Sequence, residues 1–196
     1  MAKLVIFNKP FQVLSQFTDD SGKQTLADYI KIKAVYPAGR LDYDSEGLML
    51  LTDDGQLQAQ ISDPKYKLSK TYWVQVEGTA SVAQCEALLK GVTLKDGLAI
   101  AQSCQLMSQP PIWARVPPIR VRKSIPDSWI EIVINEGRNR QIRRMTAAVN
   151  LPTLRLVRAK VGNWALGELK PGDHRIETFA SPARNSDDRA NKPLSE

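Results

Sequence analysis

KTYWVQVE, residues 70–77, sets how the rest of the chain is read. Its residues alternate: Tyr72, Val74 and Val76 share one face of an extended chain, and Trp73, Gln75 and Glu77 share the other. A period of two fits a strand with one covered face, the pattern of antiparallel pairing. WIEIVIN, residues 129–135, repeats it with Ile130, Ile132 and Ile134. Further strand-like runs lie outward from these two. They are LVIFN at 4–8, FQVLSQF at 11–17, GLMLLT at 47–52, short pieces around the KDG turn within 92–107, and the stretches 153–161 and 174–179. Residues 35–38 make a weaker run, demoted to an edge by Pro37. Helices are predicted over 25–30 with Thr25 as cap, and over 56–62, ended by Asp63 and Pro64. A third covers 81–90 with Ser81 as cap and Val82, Leu88 and Leu89 on its apolar side. A fourth runs from an Asn139 cap to about Val149. Strands outnumber helices and follow one another as hairpins, so the expected class is α+β with a mixed, mostly antiparallel sheet.

The 196 residues allow one domain, or one domain of two lobes. Hydrophobic residues make up 42% and charged residues 24%, which excludes a wholly disordered chain. There is no apolar run of ~18 residues and no secretory signal, so no membrane span is expected and the cytoplasm is the default compartment. With Cys85, Cys104 and His174 as its only soft ligands, the chain is no disulfide scaffold and holds no His-rich zinc site. Any catalysis must rest on carboxylates, tyrosines and arginines. Residues 181–196 contain one large aliphatic side chain, Leu194, and read as a disordered tail.

The net charge is +6, and it is unevenly placed. Residues 138–160 hold Arg138, Arg140, Arg143, Arg144, Arg155, Arg158 and Lys160 with no acid. That segment carries +7 within a chain of +6, which leaves −1 for everything else. A second acid-free stretch, 97–126, carries Arg115, Arg120, Arg122 and Lys123. Charge concentrated in this way is the footprint of a nucleic-acid binder; the plainer reading is a solvated basic face.

AGRLDYDSEG, residues 38–47, is a polar loop between two strands. An acid held there, such as Asp42, suits a positioned nucleophile or base. A plain turn with solvated carboxylates is the simpler alternative. A calcium loop would need an entering helix, which Pro37 and Gly39 prevent. In INEGRNRQIRRM, residues 134–145, a strand ends, Gly137 turns the chain, and a helix opens with Arg140, Arg143 and Arg144 on one face. Such arginines can reach a carboxylate or meet phosphates as two-pronged donors. Tyr72 could pack in the core or stack on a base.

GRLDYDSEGLMLLTDDG (39–55), KTYWVQVEG (70–78), EGRNRQIRRMTAAV (136–149) and LRLVRAKVG (154–162) occur in an order and spacing that resembles bacterial rRNA pseudouridine synthases of the RsuA type. The resemblance spans residues 4–176. Many members carry an N-terminal S4-type RNA-binding domain, for which this sequence leaves no room. The resemblance implies a two-lobed pseudouridine synthase fold: a small α/β lobe over 1–63, to which 153–161 returns, and a catalytic lobe over 64–180, with the cleft between. It implies that Asp42 is the nucleophile, that Tyr72 stacks on the target base, and that Arg143 ion-pairs with the catalytic aspartate. Arg40, Arg138, Arg140, Gln141 and Arg144 would line the RNA path. The implied partner is 23S rRNA or a pre-ribosomal particle, bound by a monomer. The reaction exchanges an N-glycosidic for a C-glycosidic bond with no redox step and no hydrolysis, so no metal or cofactor is expected. Attack on the sugar, attack on the uracil and a glycal route all remain open to the carboxylate. The alternative is a non-catalytic RNA-binding or ribosome-assembly protein using the same basic groove.

Overall fold

A computed structural model of the chain describes residues 2–119 and 124–179. The expected tail and Arg120, Arg122 and Lys123 of the second basic stretch lie outside the described residues. The elements in chain order are β1 (Ala2–Lys9), α1 (Leu26–Tyr29), β2 (Tyr36–Pro37), β3 (Glu46–Thr52), α2 (Gly55–Ser62), β4 (Lys70–Glu77), α3 (Val82–Lys90), β5 (Val92–Leu94), β6 (Gly97–Ala99), β7 (Ser103–Met107), β8 (Asp127–Ile134), α4 (Gln141–Ala148), β9 (Thr153–Val161), β10 (Trp164–Ala165) and β11 (His174–Phe179). The main sheet runs β11-β1-β3-β9-β4-β8-β7. Every pairing in it is antiparallel except β3 with β9. The α+β class and the mostly antiparallel sheet are as expected from the alternating strands.

The single parallel seam joins two antiparallel halves, and one glycine permits it. Gly47 faces Arg158 across the seam at φ 102°, where a side chain is strained. A Cβ there would lie 2.5 Å from the Arg158 carbonyl oxygen and 2.8 Å from its nitrogen. A buried ion pair braces the same seam. Arg155 Nε and Nη2 donate to Glu46 Oε2 and Oε1 at 2.8 and 2.9 Å, and Trp113 Nε1 adds a bond of 2.8 Å. β3 is buried along its whole length because both faces are covered. Leu48 and Leu50 pack with Leu4, Ile6 and Ile61, while Met49 and Leu51 pack with Phe7, Leu26 and Ile30 on the other face. Each such leucine contributes roughly 1.5–3 kcal/mol by burial. On β4 the expected alternation appears, with Tyr72, Val74 and Val76 buried in a cluster with Leu88, Ile132 and Met145.

Three local expectations fail. FQVLSQF is not a strand: Gln12 turns at φ 59° just after Pro10, and the backbone N–H groups of Gln12 and Leu14 bond singly to Tyr43 and Gln24 rather than to one ladder. On α3, Cys85 and Leu88 are buried, whereas Val82 is 62% and Leu89 is 39% exposed. The Ser81 capping box sets the helix phase, and that phase turns Val82 outward. Asn139 is not the cap of α4. The cap position falls on Arg140 at φ 47°, with no capping side chain. Gln141 serves this end instead, accepting from the Arg138 N–H at 3.0 Å and donating to Glu136.

Candidate active site

The loop 38–45 enters the site under restraint. The Leu41 N–H donates to Ser15 Oγ at 3.0 Å, and Ser15 Oγ donates to the Leu41 carbonyl at 2.6 Å. Gln12 N–H donates to Tyr43 O at 2.9 Å, and Ser45 N–H donates to Asp42 O at 3.0 Å. Both neighbours of Asp42 are therefore pinned, while its own carboxylate is open to a cleft of about 600 Å³. Tyr72 lies in the wall of the same cleft, with Leu14, Ile134 and Leu156 among the apolar lining. The phenol ring is largely buried at 7% exposure, so core packing and a face toward the cleft coexist in one residue.

Arg40, Asp42, Tyr72, Arg138, Arg140 and Gln141 all reach this cleft. Arg143 and Arg144 do not line it. The ion pair implied for Arg143 and Asp42 is not formed among the described residues. Arg143 Nη2 donates to the Asp44 carbonyl at 2.7 Å and lies 3.4 Å from Asp44 Oδ2. The cation within ion-pair reach of Asp42 is Arg140, whose Nη1 is 3.8 Å from Oδ2. Arg140 itself grips Asp44 with two bonds of 2.9 Å. The reason is local: the Asp42–Ser45 turn presents both the carbonyl and the carboxylate of Asp44 to the Arg140 and Arg143 face of α4. Burial alone would raise the Asp44 carboxyl, but its bonds to Arg140 and the nearby charges of Arg143 and Arg140 outweigh that and hold it below the ordinary aspartate value. Arg140 is raised in turn, chiefly by its bond to Asp44. Arg143 is lowered by burial.

Arg144 forms a two-pronged pair with Asp96 at 2.7 and 2.9 Å, tying α4 to the β5–β6 turn. Arg138 donates to the Leu98 carbonyl of β6 at 2.6 Å and pairs with Glu136 at 2.8 Å. Sequence reasoning passed over four residues here: Lys9, Asp44, Lys70 and Arg158. Lys9 is fully buried; its Nζ donates to the Pro10 and Val13 carbonyls, and desolvation lowers its pKa to about 7. Lys70 was findable, because the alternation of β4 puts it on the face of Tyr72. Among the described residues no group of three or more His, Cys, Asp or Glu could hold a metal ion. No helix among them is long and apolar enough to cross a membrane.

A carboxylate held beside an apolar pocket with a ring in its wall can attack or assist at a glycosidic centre whose base has left the stack. Residues 3–148 match the model of the family described as RNA pseudouridylate synthase. The chain is 57% identical over 171 residues to the ribosomal large subunit pseudouridine synthase E of Vibrio vulnificus, covering 87% of this chain and 73% of that protein. It is 55% identical over 186 residues to the protein of the same name from Xanthomonas campestris, covering 92% of this chain and 100% of the other. Among solved structures, one described as a pseudouridylate synthase superposes with a TM-score of 0.72 at 28% identity, over 91% of this chain and 71% of that one.

Proposed function

The chain belongs to the RNA pseudouridylate synthase family, and from that premise we propose that it converts a uridine of 23S rRNA to pseudouridine with Asp42 as the reacting carboxylate. It is an isomerase: the C1′–N1 bond of the uridine breaks, a C1′–C5 bond forms, the C5 hydrogen leaves as a proton to solvent, and N1 takes up a proton. The observation that carries Asp42 is its position, an open carboxylate on a loop whose flanking residues are fixed by Ser15 and Gln12. Fixing the loop in advance removes the cost of ordering it when substrate arrives. Tyr72 supplies a ring for the flipped base to stack on in place of its lost neighbours. Arg40, Arg138, Arg140 and Gln141 meet the strand at the cleft, and Arg144 meets it at the margin. Arg143 acts one step back, holding the loop through Asp44.

The lobes are read as 1–63 with β9 returning to it, and 64–180 with the catalytic cleft between; β11 pairs with β1 and carries the chain back to the first lobe. The protein acts as a monomer in the cytoplasm, on free 23S rRNA or on a pre-ribosomal particle. A non-catalytic RNA-binding role is not favoured, because binding alone needs no open carboxylate on a pinned loop. The test is tritium release from 5-tritiated uridine in 23S rRNA. Asp42→Asn abolishes release while RNA binding persists; normal release by that variant refutes the assignment.

A further inference from the structure

We propose that Lys70 and Arg158 form a subsite for one phosphodiester of the RNA strand that delivers the uridine; this rests on the reading of the chain as an enzyme of ribosomal RNA. Register places the two residues together. Tyr72 and Arg158 are direct partners across β4 and β9, so their side chains share a face, and Lys70 precedes Tyr72 by two residues on that face. All three line the cleft. An irregularity between Thr71 and Tyr72 shifts the pairing from Lys160 to Arg158, which brings the arginine opposite the ring.

The charges of the cleft then separate into two sets. Arg138 is paired with Glu136, and Arg140 with Asp44. Behind them Arg143, Arg144 and Arg155 are paired with Asp44, Asp96 and Glu46. Arg40, Lys70 and Arg158 have no carboxylate within ion-pair distance among the described residues; Arg40 bonds Gln16 Oε1 at 3.2 Å, whereas Lys70 and Arg158 sit together on the face of Tyr72. Arg158 is 4% exposed, and its bonds go to carbonyls, Leu48 O at 2.7 Å and Arg40 O at 3.4 Å. Lys70 is partly buried, and its Nζ bonds Leu68 O at 3.0 Å, which leaves ammonium donors for the cleft. Two neighbouring like charges, desolvated and without a counterion, are unfavourable until an anion joins them. Burial and the Arg158 charge both depress the Lys70 ammonium, as expected for a cation still lacking its partner. An RNA strand whose base stacks on Tyr72 brings its backbone phosphate about one nucleotide away, and Lys70 lies about 6.6 Å along the strand from Tyr72.

The probe is an in vitro transcript of 23S rRNA, bound by wild type, Lys70→Met and Lys70→Arg at salt concentrations from roughly 50 to 200 mM. Lys70→Met keeps the aliphatic stem and removes the charge. It weakens binding about tenfold at low salt and lowers the slope of log K against log salt by about 0.7, the share of one phosphate on a single strand. Lys70→Arg restores both. In turnover, the loss falls on KM far more than on kcat. An unchanged slope, or a loss confined to kcat, overturns the subsite and moves Lys70 to the base or to packing. If Lys70→Met does not fold, Lys70→Gln is read by the same slope. Wild-type tritium release is measured in parallel. No release by wild type together with an altered Lys70→Met slope defeats the enzymatic reading and leaves the anion subsite standing.

Discussion

Asp44→Ala removes the clasp between the loop 38–45 and α4. The variant loses the two 2.9 Å bonds from Arg140 and the Arg143 contact at 3.4 Å, but it keeps the Arg143 bond to the Asp44 carbonyl. The Arg140 and Asp44 side chains are 45% and 34% exposed, so solvent screens their pair and it contributes at the modest end, about 0.5–1 kcal/mol. The drier Arg143 contact brings the total to about 1–2 kcal/mol. With a urea dependence of about 2 kcal/mol per molar, the unfolding midpoint falls by roughly 0.5–1 M. The larger effect is on chemistry. Arg140, freed of Asp44, is already 3.8 Å from Asp42 and collapses onto it, tying up the carboxylate. Screened like the Arg140–Asp44 pair, the new pair is worth about 0.5–1 kcal/mol and slows single-turnover tritium release about two- to fivefold. Arg143→Ala loosens the same clasp, so the double variant costs less than the two single losses combined. The Asp44 carboxyl is held below its ordinary value, so its contribution is complete above the ordinary aspartate range and fades only as pH falls through the lower folded value. The clasp therefore adds no pH dependence near neutrality. An Asp44→Ala release rate and urea midpoint that both equal those of wild type would refute the reasoning.

Two further outcomes test the supports of the site. The buried Lys9 ammonium has its pKa lowered from 10.5 to about 7, so between those values the folded protein binds fewer protons than the unfolded chain and stability rises with pH, by up to about 1.4 kcal/mol per unit. Lys9→Met erases that rise; urea midpoints at neutral and alkaline pH that climb equally in both proteins contradict it. Gly47→Ala forces a Cβ to 2.5 Å from a backbone oxygen at φ 102° and destabilises the protein by about 3 kcal/mol or more, seen as a large drop in Tm. An unchanged Tm shows that the parallel seam does not need its glycine.

Much of the strand order follows from period and punctuation, because those signals are local. The limits of β4 and the burial of Ile130, Ile132 and Ile134 were readable from alternation, and the limits of β9 from its strand-like composition. The errors fall where bonding by particular side chains or backbone groups, near or distant, overrides the composition of a segment. FQVLSQF has a strand-like composition, but its partners are the loop 38–45 and the turn before α1 rather than a neighbouring strand. Asn139 has the right chemistry for a cap, but Gln141 and Glu136 satisfy that end of the helix from within the turn. Asp42 was legible as a candidate from its motif, and the structure places it in the cleft. Its partner was not: Asp42 and Asp44 are two residues apart on one turn, and which of them faces Arg143 depends on the path of a loop fixed by Ser15 and Gln12 from another part of the chain.

The same distinction between neighbours in sequence and neighbours in space changes the meaning of the basic segment. Residues 138–160 contain no acid, and along the chain their charges look free for RNA. In space Arg140 finds Asp44 at a separation of 96 residues, Arg144 finds Asp96 at 48, and Arg155 finds Glu46 at 109. Each pair joins α4 or β9 to a different strand or turn, so these arginines build and brace the cleft. The charge left facing the cleft is smaller than the formal +7, and it includes Arg40 and Lys70, which lie outside the segment altogether. An acid-free run therefore marks where the chain concentrates arginine, not where its charge is free: Lys70 and Arg158 lack a carboxylate within ion-pair distance among the described residues, and on the proposed reading they join the paired Arg138 and Arg140 in meeting RNA. Lys70 and Arg158 lie on the face of Tyr72, in the cleft that Asp42 also lines.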